Sequence, residues 1–295
     1  MKVEIFRRTV KDRKRGNSYE LLYHLKEGIE ASGDEAVIVN ENRSGPTVKG
    51  EMTPTAPMAA MFGYGGDRQM HHTKGRRREL ADNCRAKKIP LITFLSDDSP
   101  GDRWEMLVKK FKVKYEPWRK SNPEDPILFG LQPKDNWSMN ELDPIDWFND
   151  VYKKLRPITK RKFIVRPHPN NVSNILERRK ELPTDIELQY TQKNFVGDEK
   201  KHYRFHFQEA LNNCHAFITH NSTASVDSCV RGVPTFVTSD LALCWPVANT
   251  DLTKIESPDY PSREQWVNDL GYKLWSIKEI RDGTVYKRFK SKLGL

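Results

Sequence analysis

The chain has 295 residues, which at about 150 residues per domain predicts two domains. Its 7 Trp, 13 Phe and 10 Tyr are too many large rings for a disordered chain, and its 16 Gly and 18 Pro exclude a collagen-like or low-complexity architecture. The formal net charge of +10 favours a polyanionic partner, such as nucleic acid, a phosphorylated substrate or an anionic surface.

The first half of the sequence alternates between strand and helix patterns. Strands are expected at 2–6, 36–39, 58–62 and 90–95, and helices at 18–32 and 76–87. In the first helix, Leu22, Leu25 and Ile29 share one apolar face. Residues 104–114 are basic and mixed in pattern, and they are assigned to no element. This order predicts a parallel sheet with helices on its faces.

A second α/β series follows residues 121–125, which have the composition of an interdomain connection. Strands are expected at 127–130, 162–166, 215–219 and 234–237, and helices at 146–155, 174–180, 203–213 and 224–231. We therefore predict an α/β fold of two Rossmann-like domains with a cleft between them. The domain limits are 1–120 and 121–275, with a basic segment at 276–295 that could pack back on the first domain.

Hydropathy and cysteine usage indicate the cellular compartment in which the protein is expected. The sequence has no apolar stretch of the roughly 18 residues that a membrane span needs, and its first residues lack a signal-peptide core. The cysteines, which are Cys84, Cys214, Cys229 and Cys244, form no Cys-x-x-Cys pair. We expect reduced thiols in a cytoplasmic protein that has no membrane partner.

The sharpest motif is the strand, polar turn, helix and Gly-Val-Pro turn over residues 216–237. The turn consists of His220, Asn221, Ser222 and Thr223. Its side chains can cap the helix, and a helix start with small residues around it is suited to binding a phosphate. Asp227, about one turn further on, could accept hydrogen bonds from ribose hydroxyls. The alternative interpretation is an ordinary capped turn of an α/β fold.

Polar residues also follow two other strands of this sheet. Arg166 and His168, with prolines flanking the histidine, come at the end of one strand, and Gln132 follows the strand before it. Ligands of such sheets bind outside the carboxyl ends of the strands, where these side chains could donate to a diphosphate. The alternative is a surface loop with incidental charge.

Asp97 and Asp98 follow the strongest strand of the first half. A carboxylate in that position could act as the general base for an acceptor hydroxyl. A turn or capping role ranks second, because Asp-Ser-Pro-Gly sequences favour turns. A divalent metal site ranks third, and no metal ligand is predicted.

Candidate acceptor contacts lie in the first half. Residues 63–66 include Gly65 and are too loose for a dinucleotide fingerprint, so a wall of the cleft and a flexible loop are both open. Arg76 and Arg77 belong to recurrent basic runs that could track phosphates, although each run taken singly fits a solvated surface. Trp104 could stack on a base or pack in the core.

The second half resembles the two-domain GT-B glycosyltransferases, particularly the capsular polysaccharide Kdo-transferase-like group. The resemblance covers roughly residues 126–237 and rests on a Gln-Pro motif, a His-Pro motif, a Ser-Thr-rich helix start and a Gly-Val-Pro segment. In this chain they read Gln132-Pro133, His168-Pro169, Asn221-Ser222-Thr223 and Arg231-Gly232-Val233-Pro234. Asp227 stands where that group has Glu. In the first half, residues 94–97 are similar to the segment holding the catalytic Asp of phage DNA β-glucosyltransferases.

The resemblance implies a nucleotide-sugar co-substrate, with a UDP-sugar favoured and a CMP-sugar possible, and no further cofactor. Gln132, His168, Ser222 and Thr223 would hold the donor phosphates, and Asp97 would deprotonate the acceptor for inverting transfer. The preferred acceptor is a hydroxymethylated pyrimidine in double-stranded phage DNA, which would require base flipping. A capsule or lipopolysaccharide sugar transferase and a non-catalytic nucleic-acid-binding protein are the alternatives.

Overall fold

A computed structural model describes residues 1–6, 17–39, 58–61, 83–84, 86–89, 91–92, 98–120, 122–134, 139, 142–190 and 199–295. The chain divides into two compact units, one of Met1–Trp104 with Asn268–Leu295 and one of Glu105–Val267. The domain limits 1–120, 121–275 and 276–295 stay a prediction, because compactness alone does not show which segments fold independently.

The predicted alternation of strands and helices is present in the described ranges, and the helix predicted at 76–87 lies mostly outside them. The strands are β1 (Lys2–Phe6), β2 (Glu35–Val39), β3 (Met58–Met61), β4 (Leu91–Ile92), β5 (Ile127–Leu131), β6 (Phe163–Pro167), β7 (Ile186–Leu188), β8 (Ala216–Thr219) and β9 (Thr235–Val237). The helices are α1 (Asn17–Glu30), α2 (Asp102–Phe111), α3 (Pro144–Leu155), α4 (Val172–Glu177), α5 (Glu199–Asn212), α6 (Ala224–Val230), α7 (Glu264–Gly271), α8 (Ile277–Arg281) and α9 (Thr284–Lys292).

The first unit is built on a parallel sheet with the strand order β2-β1-β3-β4. Val3 of the inner strand β1 is in register with Ala36 on one side and Met58 on the other. The predicted apolar face of α1 is confirmed, because Leu22 and Ile29 are buried in the same core as Val3. The expected α/β class is therefore confirmed for this unit.

Helices α8 and α9 complete the core of the first unit. Ile280 and Tyr286 are buried with the apolar face of α1. A β-carbon at Gly28 of α1 would lie 2.0 Å from the carbonyl oxygen of Ile280, so only glycine permits this approach. The Tyr286 hydroxyl also donates to Asp34 at 2.8 Å. The end of the chain is thus part of this fold and not a loose basic tail.

A buried arginine ties α2 to α8. Arg103, 8% exposed, donates to Glu279 through Nη1 at 2.6 Å and Nη2 at 3.0 Å, and its guanidinium carbon lies 3.8 Å from the centre of the Trp275 ring. Glu279 also accepts from the backbone of Ser276 in a capping box that begins α8. Residues 104–114, which the sequence assigned to no element, therefore contribute most of helix α2.

The second unit has a parallel sheet with the order β7-β6-β5-β8-β9. Phe129 of the central strand β5 contacts Phe148 of α3 and Phe163 of β6 edge to face, with centroids 4.9 and 5.3 Å apart. Asp143 caps α3 by accepting from the backbone N–H of Ile145 at 2.9 Å. The α/β class is confirmed here too, and the three-residue strand β7 is an addition to the predicted elements.

Residues 113–120 are fastened to the end of α6. Gly232 adopts a φ of 71°, and a β-carbon there would lie 1.9 Å from the carbonyl oxygen of Pro117. The backbone N–H of Arg119 donates to the Gly232 carbonyl at 2.7 Å. Arg263 lies 4.1 Å from the centre of the Trp118 ring and donates to the Glu116 carbonyl at 2.5 Å. These contacts place the segment in the second unit.

Across the described ranges, no helix has the length and apolar character needed to cross a bilayer. The cysteines are free and buried. Burial raises the pKa of the Cys84 and Cys214 thiols to about 12, so both are neutral near physiological pH.

The Arg103–Glu279 pair predicts a specific pH dependence of stability. The hydrogen bonds from Arg103 lower the pKa of Glu279 from 4.5 to about 2. A carboxyl whose pKa is lowered in the folded protein stabilises the fold at any pH above its ordinary pKa. The contribution of Glu279 to stability is therefore complete above pH 4.5 and is lost as the pH falls towards 2. Glu279→Gln should therefore lower the free energy of unfolding at neutral pH by up to about 3 kcal/mol, with the deficit shrinking in acid. Urea denaturation over a pH series measures this.

Glu35→Gln is the matched control, since Glu35 is exposed and lies 3.9 Å from Lys2 in a surface pair. It should change stability by less than about 1 kcal/mol. A Glu279→Gln deficit that stays constant down to the acid limit would contradict the assignment.

Candidate functional site

The strand order of the second unit defines where a ligand can be held. From β5 the chain proceeds to β6 and β7 on one side of the sheet, and then returns to β8 and β9 on the other. The order therefore reverses between β5 and β8. In open parallel sheets, ligands bind outside the carboxyl ends of the strands at such a reversal.

The predicted donor-binding residues follow three neighbouring strands at this edge. Gln132 follows β5, His168 follows β6, and residues 220–223 follow β8. Gly130 of β5 is in register with Arg166 and with Thr219, so the three strands end level with one another. With adjacent strands about 4.8 Å apart, the three strand ends span about 10 Å. The fold thus brings these sequence motifs together.

One hydrogen bond joins the two strand ends at the reversal. Oε1 of Gln132 accepts from the backbone N–H of Asn221 at 2.7 Å. Gln132 is buried, whereas the side chain of Asn221 is half-buried. The bond holds the turn after β8 against the loop after β5, and so determines the backbone position from which Ser222 and Thr223 project.

His168 is held in one tautomer by the backbone. Its Nδ1 accepts from the backbone N–H of Asn170 at 3.2 Å, at the start of the short turn Pro169–Asn171. Burial lowers the pKa of His168, which favours the neutral ring. A neutral ring whose Nδ1 accepts carries its proton on Nε2. His168 is therefore a neutral hydrogen-bond donor at the end of β6.

Arg166 lies behind the edge and not on its surface. The residue is 2% exposed. Its Nη1 donates to Oε1 of Gln189, and its guanidinium carbon lies 5.9 Å from the centre of the Phe207 ring. The positive charge is thus buried beneath the strand ends and can contribute to the potential there.

The start of α6 differs in detail from the expected cap. Oγ of Ser222 accepts from the backbone N–H of Ala224 at 3.3 Å, which confirms capping by this residue. Thr223 occupies the N-cap position with helical backbone angles, and its side chain makes no capping hydrogen bond. The expectation that Thr223 caps the helix was wrong, because a helical N-cap turns the side chain away from the free N–H groups. Asp227 is exposed in the middle of α6.

His220 is a further polar group at this edge. Two residues that the sequence did not indicate, Thr238 and Trp147, hold its side chain. His220 is 8% exposed, and its Nδ1 lies 2.8 Å from Oγ1 of Thr238, the residue after β9. Nε1 of Trp147 on α3 donates to the same oxygen at 2.8 Å. Burial lowers the pKa of His220, which favours its neutral form. The contacts join residues far apart in sequence, so no local pattern indicated them.

The candidate residues of the first half are largely untested by the structure. Asp97, Gly65, Arg76 and Arg77 lie outside the described residues, and their roles stay predictions. Asp98 is exposed, with a φ of 56°.

Trp104, proposed as an acceptor contact, is 8% exposed on α2. A β-carbon at Gly271 would lie 3.0 Å from its backbone nitrogen, so the two helices α2 and α7 approach closely at this point. Over the described part of the chain, no group of three or more His, Cys, Asp or Glu side chains is arranged to hold a metal ion.

Several solved structures are similar to this chain at low sequence identity. No protein-family model and no curated protein sequence matches the chain. A KpsC beta Kdo 2,4 transferase from Thermosulfurimonas dismutans is similar over 91% of this chain and 90% of its own, with a TM-score of 0.45 and 12% identity.

Two further chains are similar over nearly their whole length. The beta Kdo 2,7 transferase of the same organism's KpsC has a TM-score of 0.40 and 8% identity, over 98% of this chain and 100% of its own. The UDP-GlcNAc 2-epimerase of Methanocaldococcus jannaschii, in complex with UDP-GlcNAc and UDP, has a TM-score of 0.37 and 10% identity, over 99% of this chain and 100% of its own. Kdo transferases, whose group the motifs resemble, are thus among the similar structures.

The Gln132–Asn221 bond yields a prediction about the edge itself. Gln132→Leu leaves the Asn221 N–H without this acceptor, and should lower the free energy of unfolding by about 1–2 kcal/mol and speed hydrogen exchange at the Asn221 amide. Gln132→Glu is the matched control, because it keeps an acceptor oxygen at the same reach. Equal protection of the Asn221 amide in wild type and Gln132→Leu would show that this bond does not hold the turn.

Proposed function

We propose that this protein is a glycosyltransferase that takes a sugar from a nucleotide-sugar, with the donor phosphates held at the β5/β8 reversal. The supporting observation is the convergence of hydrogen-bond donors on that edge. Nε2–H of His168 and the polar residues at the start of α6 follow strand ends that lie level with the end of β5, where Gln132 stands, and the three ends span about 10 Å. Such preorganised dipoles suit a diphosphate, whose charge increases as the glycosidic bond breaks.

The chemistry is a displacement at the anomeric carbon. The acceptor oxygen forms a bond to that carbon, the bond to the donor phosphate breaks, and the nucleotide leaves with the bonding electron pair. Asp97 takes the proton of the acceptor hydroxyl as general base, in a single step that inverts the anomeric centre. The buried charge of Arg166 and the donors of His168 and Ser222 stabilise the leaving group. A UDP-sugar is the favoured donor and a CMP-sugar the second choice.

The acceptor we propose is the hydroxymethyl group of a modified pyrimidine in double-stranded DNA. The net charge of +10 supports a polyanionic acceptor. In the described part of the chain, Lys109, Lys110, Lys112 and Lys114 are exposed at the end of α2, and no ion pair engages them. A base in a duplex would have to leave the stack to react.

A sugar of a capsule or lipopolysaccharide is the second candidate acceptor. The specific observation that favours it is the Gln-Pro and His-Pro pair at Gln132 and His168, which resembles the Kdo-transferase-like group. An anionic glycan would satisfy the same positive charge.

Donor binding tests the site. His168→Ala removes a neutral donor, and should weaken the affinity for the nucleotide-sugar about tenfold, measured by calorimetry. His206→Ala is the matched control, because His206 is a half-buried histidine on α5 that pairs with Glu209 at 3.6 Å. Its affinity should equal that of wild type. Equal affinity in His168→Ala would remove this residue from the site.

A transfer assay tests the reaction and the acceptor. Purified protein is incubated with UDP- and CMP-sugars and with hydroxymethylated DNA, unmodified DNA or glycan, and product masses are recorded. A sugar added only to hydroxymethylated DNA is the expected result, whereas addition to glycan alone establishes the second acceptor. Absence of both transfer and donor hydrolysis, with DNA binding retained, would favour a non-catalytic nucleic-acid-binding protein.

In the same assay, Asp97→Asn should abolish transfer and leave donor affinity unchanged, because it removes the base alone. Asp98→Asn serves as the adjacent control and should stay active. If the two results are exchanged, Asp98 is the base.

A further inference from the structure

His220 lies at the strand reversal and shares one hydroxyl group with a tryptophan. Oγ1 of Thr238 is 2.8 Å from Nδ1 of His220 and 2.8 Å from Nε1 of Trp147. The rings of Trp147 and His220 are 6.2 Å apart, at an interplanar angle of 64°. The three residues come from the end of β8, the end of β9 and helix α3, so the contact joins three elements of the second unit.

Hydrogen-bond chemistry gives this arrangement a direction. The indole N–H of Trp147 can only donate, so Oγ1 of Thr238 accepts from it. The hydroxyl proton of Thr238 is then directed to Nδ1 of His220, which is its acceptor among the described residues. In the opposite arrangement, Oγ1 would accept twice and its own proton would have no acceptor in the described part of the chain.

The main chain at His220 is also held by a hydrogen bond. The N–H of Ser239 donates to the carbonyl of His220 at 3.2 Å, which links the residues that follow β8 and β9. Ser239 and His220 are both 8% exposed, and Trp147 is 7% exposed. The ring is therefore held by packing as well as by its hydrogen bond.

We propose that Thr238 and Trp147 are positioning residues, which hold His220 as the Nε2–H tautomer so that it donates a hydrogen bond to the phosphate of the bound nucleotide. Nε2 makes no hydrogen bond with any described residue, which leaves its proton for a ligand. His168 presents Nε2–H in the same way, with the Asn170 N–H in place of a hydroxyl. The role towards a nucleotide rests on the proposed function, whereas the tautomer does not.

Two independent readouts test the proposal. Two-bond ¹H–¹⁵N correlation spectra distinguish the tautomers of each histidine, and the signal lost in His220→Gln identifies His220. Calorimetry with UDP measures nucleotide affinity. Thr238→Val removes the hydroxyl at nearly constant volume, and Thr238→Ser restores it.

We expect Nε2–H in the wild type and in Thr238→Ser, and a mixture of tautomers in Thr238→Val. UDP affinity should fall about tenfold in Thr238→Val and return in Thr238→Ser. A wild-type ring protonated on Nδ1 would overturn the proposal, as would an unchanged tautomer in Thr238→Val. If the tautomer shifts as expected but the wild type binds no UDP, the proposed function fails while the assignment of the tautomer stands.

Discussion

The hydrogen bond from the Asn221 backbone to Gln132 determines the geometry of the polar edge of the second sheet. It joins the two strands between which the chain reverses its direction of travel across the sheet. The strand ladder and the bond from Thr219 Oγ1 to the Gly130 carbonyl also link β8 to β5. Ser222 and Thr223 follow Asn221 directly, so their positions depend on this bond.

The carboxyl-end edge of the second sheet combines neutral hydrogen-bond donors with one positive charge that is buried beneath them. His168 has its tautomer determined by a backbone N–H, while the guanidinium of Arg166 is buried with Gln189. A neutral imidazole is easier to desolvate than an imidazolium, so it can remain partly buried without a counter-ion. The cost of burying positive charge therefore falls on one residue, Arg166, whose Nη1 donates to a side chain inside the protein.

Periodicity and strand-end chemistry predicted most of the second sheet and the positions of Gln132, His168 and Ser222, because these signals are local. Helix α2 escaped assignment because Arg103, Lys109 and Lys110 give a basic, mixed pattern around its two buried apolar residues, Trp104 and Leu107. The contacts of Thr238 could not be predicted, because they depend on how β8, β9 and α3 pack. The capping assignment of Thr223 failed on backbone angles, which residue type alone does not determine.

The discontinuity of the first unit has a consequence for synthesis on the ribosome. Its core contains Val3 and Leu25 from the beginning of the chain and Ile280 and Tyr286 from the end. Residues 105–267, which form the whole second unit, are translated in between. The second sheet can therefore fold before α8 and α9 have been synthesised. Until then, part of the apolar surface of the first unit stays uncovered. Nascent chains stalled before α8 would expose that apolar surface to chaperones.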